Sequence, residues 1–397
     1  MIYFDNAATT FPKPACVVQG VQRALLYDGA NPGRSGHDLS IQTARKIYRC
    51  RESAAALFGC QPEQAVFTKN CTESINTAIK GLVRPGDHVI ISDLEHNAVY
   101  RVVDALCRQG VIDYDIAQVV DCDEQTVWNF EHLIRHNTRL IACTQGSNVF
   151  GYCVPVGKIG AMAHRRGVLM LVDAAQTAGL LDIDLRNLPI DYLCLPGHKG
   201  LYGPAGTGIL IVNGKPIPDP LCEGGTGSFS MEAEMPDFLP DRLESGTVNT
   251  SGIIGLGKGI DFVRTKTPQR LYQAEMQLCR RLYRNLSAIP GVQLYSDEPQ
   301  IGKNLPLIAF QLQGLGSEQT AALLNDYGIA VRAGFHCAAL AHRKMGTHRD
   351  GTVRVSLGAF NTQQEADAFC RAVADILRRQ RNGKKFEGAV GLFLRIC

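Results

Sequence analysis

The sequence has no apolar stretch that reaches the length of a membrane span, no two cysteines three positions apart, and no long run of charge of one sign. The first absence excludes a transmembrane helix and leaves no membrane partner to expect. The second, with 14 cysteines spread along the chain and many inside apolar runs such as "LIACT" and "YLCLP", points to reduced, buried thiols. The third leaves nucleic acid a poor default partner: 41 basic against 38 acidic residues give a net charge of +3, with no long run of one sign beyond the short basic stretch "RRQRNGKK" near the end. Internal repeats and low-complexity linkers are also missing. The start, "MIYFDNAATT", lacks the basic segment, apolar core and cleavage-like site of an export signal, so a cytoplasmic protein is expected. What is present is an ordinary globular composition, 45% hydrophobic and 20% charged, in 397 residues, enough for two domains with substantial cores.

Between about residues 65 and 212, short apolar strand candidates ("AVFT", "HVIISD", "RLIACTQ", "VLMLVDAAQ", "YLCLPG", "GTGILIV") alternate with helical patterns ("ESINTAIKGLV", "AVYRVVDALCRQG", "GAMAHRRG"). That alternation predicts an α/β domain around a mostly parallel sheet, with chemistry at strand ends and in the loops that follow. A Gly-rich stretch around "EGGTGSFS" separates it from a second pattern beginning near Ile260. There a long helix candidate precedes "GVQLYS", "LPLIAFQL", a helix from Ser317, "IAVRAG" and "TVRVSLG", predicting a smaller α+β domain. Its last helix carries a capping box, Thr362 and Glu365, and an apolar stripe at Ala366, Phe369, Cys370, Val373, Ile376 and Leu377. The expected division is a large domain over residues 1–259 with the N-terminal segment, a small domain over 260–382, and a tail of unmatched role over 383–397.

Three strand-end elements carry candidate chemistry. "LPGHKGLYGPAGTG" sets His198 and Lys199 among glycines after a buried strand; Lys199 reads either as a surface lysine or as an amine nucleophile toward an aldehyde. "VLMLVDAAQ" places Asp173 at a strand end, either as a turn or cap residue or as the acid that keeps a pyridine nitrogen protonated, with Gln176 three residues on. "TKNCTESINTAIKG" puts Cys71 and Thr72 at a helix start, where free N–H groups and a hydroxyl make a phosphate cradle, or where Thr72 is a plain N-cap.

Together with "YFDNAATT", "NPGRSGHDLS", "CTESIN", "EHNA", "SNVFG", "ESGTVNT", "VRAGFHCA" and "VRVSLGAFNT", in collinear order over nearly the whole chain, these elements resemble the class V aminotransferase-fold proteins that use pyridoxal phosphate, and specifically their cysteine desulfurase and selenocysteine lyase branch. The resemblance implies the pyridoxal-phosphate-dependent transferase fold (aminotransferase fold type I): a large α/β domain with a mostly parallel sheet and a smaller α+β C-terminal domain. It implies that Lys199 carries the cofactor and moves the substrate Cα proton, that His198, Thr72 and the Cys71 N–H hold the phosphate, and that Asp173 pairs with the ring nitrogen. Gln176 is implied at the phenolic oxygen, His96 on the ring face, and Asn148 near the phenolic oxygen and the substrate carboxylate. Arg354 is implied as the two-pronged clamp on that carboxylate. Its plainer reading is a strand-edge arginine paired with a surface acid. Thr247 resembles the residue that reaches the phosphate of a neighbouring subunit, which implies a homodimer, and Arg34 and His37 in "GRSGH" are implied to cross the same boundary toward substrate.

Cys337 in "VRAGFHCAAL" selects the branch. It follows His336 and lies five residues after Arg332, a setting that favours thiolate. The resemblance implies that it attacks the sulfur of L-cysteine, leaving L-alanine and a persulfide for a sulfur-acceptor protein. Alternatives within the branch are a selenocysteine lyase acting on L-selenocysteine or another class V lyase or aminotransferase; outside it stands a catalytically weak sulfur-relay or docking protein. The loop continues "AALAHRKMGT" without the proline usual there, and the end "GKKFEGAVGLFLRIC" matches nothing. His132 and His136 in "FEHLIRHN" lack a third ligand and read as a solvated helix face, so no metal is expected.

Overall fold

A computed structural model describes residues 1–32 and 36–382; Arg34 and the 383–397 tail lie outside the described residues. The chain divides into two compact units, a larger one of Lys13–Gln145 and Val154–Gln269, and a smaller one of Met1–Pro12, Gly146–Cys153 and the chain from Arg270 on. In chain order the strands are β1 (Ile2–Tyr3), β2 (Ala65–Thr68), β3 (Asp87–Ser92), β4 (Ile112–Ala117), β5 (Thr138–Thr144), β6 (Leu169–Asp173), β7 (Tyr192–Pro196), β8 (Gly208–Val212), β9 (Val292–Leu294), β10 (Leu307–Leu312), β11 (Ile329–Ala330), β12 (Arg332–Gly334) and β13 (Thr352–Ser356).

The larger unit is α/β. Its seven strands run in the order β2-β8-β7-β6-β5-β3-β4. Strands β3 to β7 are mutually parallel, and β8 runs against both of its neighbours. Helices Cys71–Leu82, Asn97–Arg108, Asp123–Glu131 and Val156–Arg165 connect successive strands from β2 to β6. The apolar runs of β7 and β8 are buried along their whole length, as strands covered on both faces require. β4, "IDYDIA", forms an edge, and its two aspartates break the apolar run that marks the inner strands. Register sets Thr144 beside Asp173 and Asp173 beside Cys194, so three neighbouring strands end together.

A buried ion pair fastens the end of the Gly-rich stretch within this unit. Arg51 Nη1 donates to Glu244 Oε1 at 2.7 Å, the guanidinium lies over the Phe67 ring at 4.4 Å, and Glu244 also accepts from the Phe67 N–H. A carboxylate and a guanidinium removed from water need such mutual and additional partners. The motif "ESGTVNT" is thereby held to β2.

In the smaller unit, β12-β13-β10-β9 form an antiparallel sheet. Residues from helices Pro268–Ser287, Ser317–Asp326 and Gln363–Arg381 close a core that includes Phe310, Leu324, Val355, Phe369 and Ile376. The capping box of Thr362 and Glu365 is formed, and the helix it starts buries Ala366, Phe369, Val373, Ile376 and Leu377. The pattern along the chain grouped residues 1–12 with the larger region. In the structure Phe4 joins the smaller core, β1 pairs in parallel with β11, and Asp5 bridges to Ser356. The stretch "IAVRAG" serves two sheets, β11 with β1 and β12 with β13.

Candidate functional site

In the larger unit the site is built where β5, β6 and β7 end. Asp173 is only 2% exposed; its Oδ1 accepts from the Ala175 N–H at 2.8 Å and faces Cys71 Sγ at 3.5 Å. Gln176 lies half-buried in the turn that follows.

After β7 the chain turns through Gly197–Gly200. Gly197 N–H donates to Thr207 O at 2.8 Å, Gly203 N–H to Gly197 O at 2.7 Å, and Tyr202 N–H to Lys199 O at 2.7 Å. A Cβ at Gly197 would stand 2.1 Å from Thr207 Oγ1, and one at Gly203 would stand 2.8 Å from Gly197 O, so glycine is required for this approach. His198 and Lys199 are thus half-buried on a rigid turn rather than on a loose surface hairpin. Lys13 Nζ donates to His198 O at 2.7 Å. Burial, then the charges of Lys199 and Lys13, push the His198 imidazole down to about 4, so it is neutral near pH 7. Burial likewise brings the Lys13 amine down to about 8. Sequence reasoning passed over Lys13, because nothing in "FPKPA" marks a lysine that folds back to the turn after β7.

Helix Cys71–Leu82 begins beside Asp173. Its N-cap is Asn70, whose side chain accepts from the Glu73 N–H at 2.9 Å, so the reading of Thr72 as the cap is corrected. An asparagine at this place satisfies a donor of the first turn, and it leaves the N–H groups of Cys71 and Thr72 without an acceptor among the described residues. Thr72 is exposed on that turn, and Cys71 is buried, its thiol pushed well above the usual range by burial and by Asp173. Two unpaired N–H groups at a helix start with a hydroxyl alongside suit an anion such as phosphate. A buried carboxylate suits a protonated ring nitrogen.

His96 and His37 both cap helices. His96 Nδ1 accepts from the Ala98 N–H at 3.0 Å, which leaves the ring hydrogen on Nε2, and His37 Nδ1 accepts from the Ser40 N–H at 3.3 Å. His37 and Thr247 are exposed. The helix expected to carry His132 and His136 on one face ends at Glu131; His132 is its C-cap, with its ring 3.6 Å from that of Trp128, and His136 lies beyond it.

Beside His96, Glu95 is fully buried. Its Oε1 accepts from the Ser92 N–H at 3.3 Å, the Thr144 N–H at 2.8 Å and the Ser92 hydroxyl, and Oε2 has no partner among the described residues. Burial pushes this carboxyl from 4.5 up to about 8, so it is protonated at neutral pH. Because the folded value lies above the unfolded one, the stability it lends is complete below the unfolded value and is lost as pH rises through the folded value. Glu95→Gln, neutral at every pH, is expected to flatten the fall in unfolding free energy between about pH 5 and pH 9 by a few kcal/mol, read from denaturant unfolding across pH. Equal slopes in parent and variant would show that Glu95 is ionised in the folded protein.

The smaller unit holds its own cluster. Arg354 is 1% exposed on β13, an inner strand of its sheet, which corrects the strand-edge reading. Its Nη2 donates to Asp5 Oδ1 at 2.7 Å and its Nη1 to Asn148 O at 2.7 Å, and Nε has no partner among the described residues. Asn148 Nδ2 donates to His336 O at 2.7 Å. His336 is buried; its Nε2 donates to Arg332 O at 3.3 Å, and its ring stacks on His342 at 5.9 Å. Burial, with the Arg354 charge next, holds it neutral. His336 and Cys337 have φ of 51° and 56°, left-handed values that residues with a Cβ seldom adopt, and Cys337 is exposed. Asp5 was not anticipated as the partner of Arg354, since 349 residues separate them.

Comparison with known proteins adds to this geometry. A probable cysteine desulfurase of Methanothermobacter thermautotrophicus is 34% identical over 94% of this chain and 94% of its own length. A longer relative, the probable cysteine desulfurase of Mycolicibacterium paratuberculosis, is 31% identical over 95% of this chain, which spans 55% of that protein. The apo structure of a cysteine desulfurase from Thermococcus onnurineus NA1 superposes with a TM-score of 0.86 at 30% identity, covering 95% of this chain and 94% of that one. Since the aminotransferase class-V profile matches residues 2–369, this chain belongs to the aminotransferase class-V family.

Proposed function

We propose that this protein is a cysteine desulfurase that converts L-cysteine to L-alanine and takes the sulfur as a persulfide on Cys337. The observation that carries the reading is an exposed thiol on a left-handed two-residue turn, in the same unit as a buried arginine able to receive a carboxylate. Relatives named cysteine desulfurase over nearly the full chain support it. Proteins of the class-V family depend on pyridoxal phosphate in general. The larger unit fits that group: Thr72, the Cys71 N–H and His198 for the phosphate, Asp173 for the ring nitrogen, Gln176 for the phenolic oxygen, His96 for the ring face and Lys199 for the aldehyde carbon. When bound, pyridoxal phosphate supplies an electron sink for the substrate Cα.

The chain's own residues do the rest. Arg354 fixes the substrate carboxylate and so the direction of the Cα–H bond. Lys199 Nζ takes the Cα proton. The Cys337 thiolate attacks the substrate sulfur; the new S–S bond forms as the Cβ–S bond breaks, its electron pair stays on carbon, and a proton delivered there completes alanine. The persulfide then awaits a thiol acceptor. Thr247 serves the phosphate of a second copy, and the exposed Val18, Leu25, Leu26, Leu39 and Ile41 provide apolar surface for such a dimer.

The test gives purified, cofactor-loaded protein L-cysteine with and without a reductant, assays alanine and sulfide, and maps persulfide by mass spectrometry. Alanine and sulfide in equal amounts with reductant, and a persulfide on Cys337 without it, are expected. No alanine, or the sulfur on another cysteine, overturns the reading.

A further inference from the structure

We propose that Asn148 is a positioning residue for Cys337: it ties the backbone ahead of the nucleophile to Arg354, so that a carboxylate bound at Arg354 loosens the Cys337 turn. The inference rests on Arg354 and Cys337 holding the roles given above. Three contacts form the tie. Arg354 Nη1 donates to Asn148 O at 2.7 Å, Asn148 Nδ2 donates to His336 O at 2.7 Å, and His336 directly precedes Cys337. One buried asparagine therefore takes a hydrogen bond from the carboxylate-binding arginine on its main chain and passes one to the nucleophile's loop from its side chain.

The turn needs such a hold. Two successive residues with a Cβ at φ of 51° and 56° store strain that persists only where the surroundings over-determine it. The His336 carbonyl, fixed by Asn148, is one restraint, and the His336 Nε2–H on Arg332 O is another. Arg354 has no spare exposure, and both of its bonded nitrogens are committed, to Asp5 and to Asn148 O. Its Nε is a buried donor without a partner among the described residues, a place for an incoming oxygen. A carboxylate that takes Nε and a terminal nitrogen in the bidentate geometry draws the guanidinium from one of its present acceptors. When Asn148 O is the acceptor released, the Asn148 backbone shifts, its amide slackens on His336 O, and the exposed thiol gains freedom when the carboxylate is in place.

The readout is alkylation of Cys337 in cofactor-loaded protein, followed by peptide mass spectrometry, with saturating L-alanine or L-alaninamide; binding of each is followed by the cofactor's visible absorbance. L-Alanine is expected to speed alkylation of Cys337 by about threefold to tenfold, the population shift that one released hydrogen bond produces. L-Alaninamide, which keeps the amine and lacks the carboxylate, leaves the rate unchanged, and the exposed Cys16, Cys122 and Cys222 respond to neither. In Asn148→Ala the basal rate is already raised and the response to L-alanine is gone. In His336→Asn, which keeps the backbone carbonyl and tolerates positive φ, the response is retained. L-Alanine that binds without changing the rate, or an undiminished response in Asn148→Ala, overturns the proposal. The comparison of L-alanine with L-alaninamide carries the test even if a variant fails to fold. Absence of L-alanine binding, or sulfur mapped to another cysteine, would instead count against the desulfurase reading.

Discussion

Lys199→Ala is expected to lower alanine release from L-cysteine by about 10⁴-fold, the upper end of what a positioned proton-transfer group contributes. The turn after β7 is closed by backbone bonds to Lys199 O and Gly197 O, and by contacts that leave no room for a Cβ at Gly197 or Gly203. Lys13 is a second amine in the same unit, but its Nζ is bonded to His198 O. The variant retains the proposed phosphate and ring-nitrogen partners, so it is expected still to take up cofactor, without a covalent link. The check is an alanine assay normalised to bound cofactor; a rate near the parent's at full occupancy would remove Lys199 from the reaction.

Cys337→Ala is expected to abolish persulfide formation and to cut desulfuration of L-cysteine by at least about 100-fold, while exchange of the Cα proton with solvent continues. In the proposed mechanism proton exchange uses Lys199, Asp173 and Arg354 and does not need the thiol. Several of the remaining cysteines are poor substitutes. Cys50, Cys71, Cys143, Cys194 and Cys279 are buried, and burial drives each thiol far above the usual range, so none supplies thiolate near neutral pH. Cys16 Sγ lies on Lys258 O at 3.8 Å, and Cys122 Sγ on Glu124 Oε2 at 3.5 Å. Selenocysteine cleavage is expected to survive better than cysteine cleavage, because selenium leaves without the help of an attacking thiolate. Undiminished desulfuration, or loss of proton exchange along with it, would mean that Cys337 acts at another step or serves only the fold.

Much of the large unit was legible because its inner strands are continuous apolar runs and its connecting helices repeat on a period near four. β4 escaped that reading. As an edge strand it tolerates Asp113 and Asp115, and a strand half in water carries little of the signal that marks a buried one. Helix starts were legible only in part. Thr362 with Glu365 declares itself by spacing, whereas in "TKNCTES" asparagine and threonine are both good caps, and only the geometry decides for Asn70. The histidine caps, His37 and His96, were read for chemistry alone, since an imidazole is an unusual capping group.

The sequence by itself determined the alternation of strands and helices, the glycine-bound turn that holds His198 and Lys199, the carboxylate at the end of β6 and the placing of a cysteine, Cys337, in a short Gly-containing loop. Each of these is local: periodicity, turn residues and a strand terminus are written within a dozen positions. Tertiary structure alone decided that Met1–Pro12 and Gly146–Cys153 join the unit that carries Cys337. It also decided that "IAVRAG" divides between two sheets, that Arg354 is buried on Asp5 rather than exposed at an edge, and that Glu95 is enclosed with one oxygen unpaired among the described residues. The reason is physical. Burial of a charge and the partner that makes it tolerable depend on which distant segments share a core, and a carboxylate 349 residues from its arginine leaves no trace in the spacing of either.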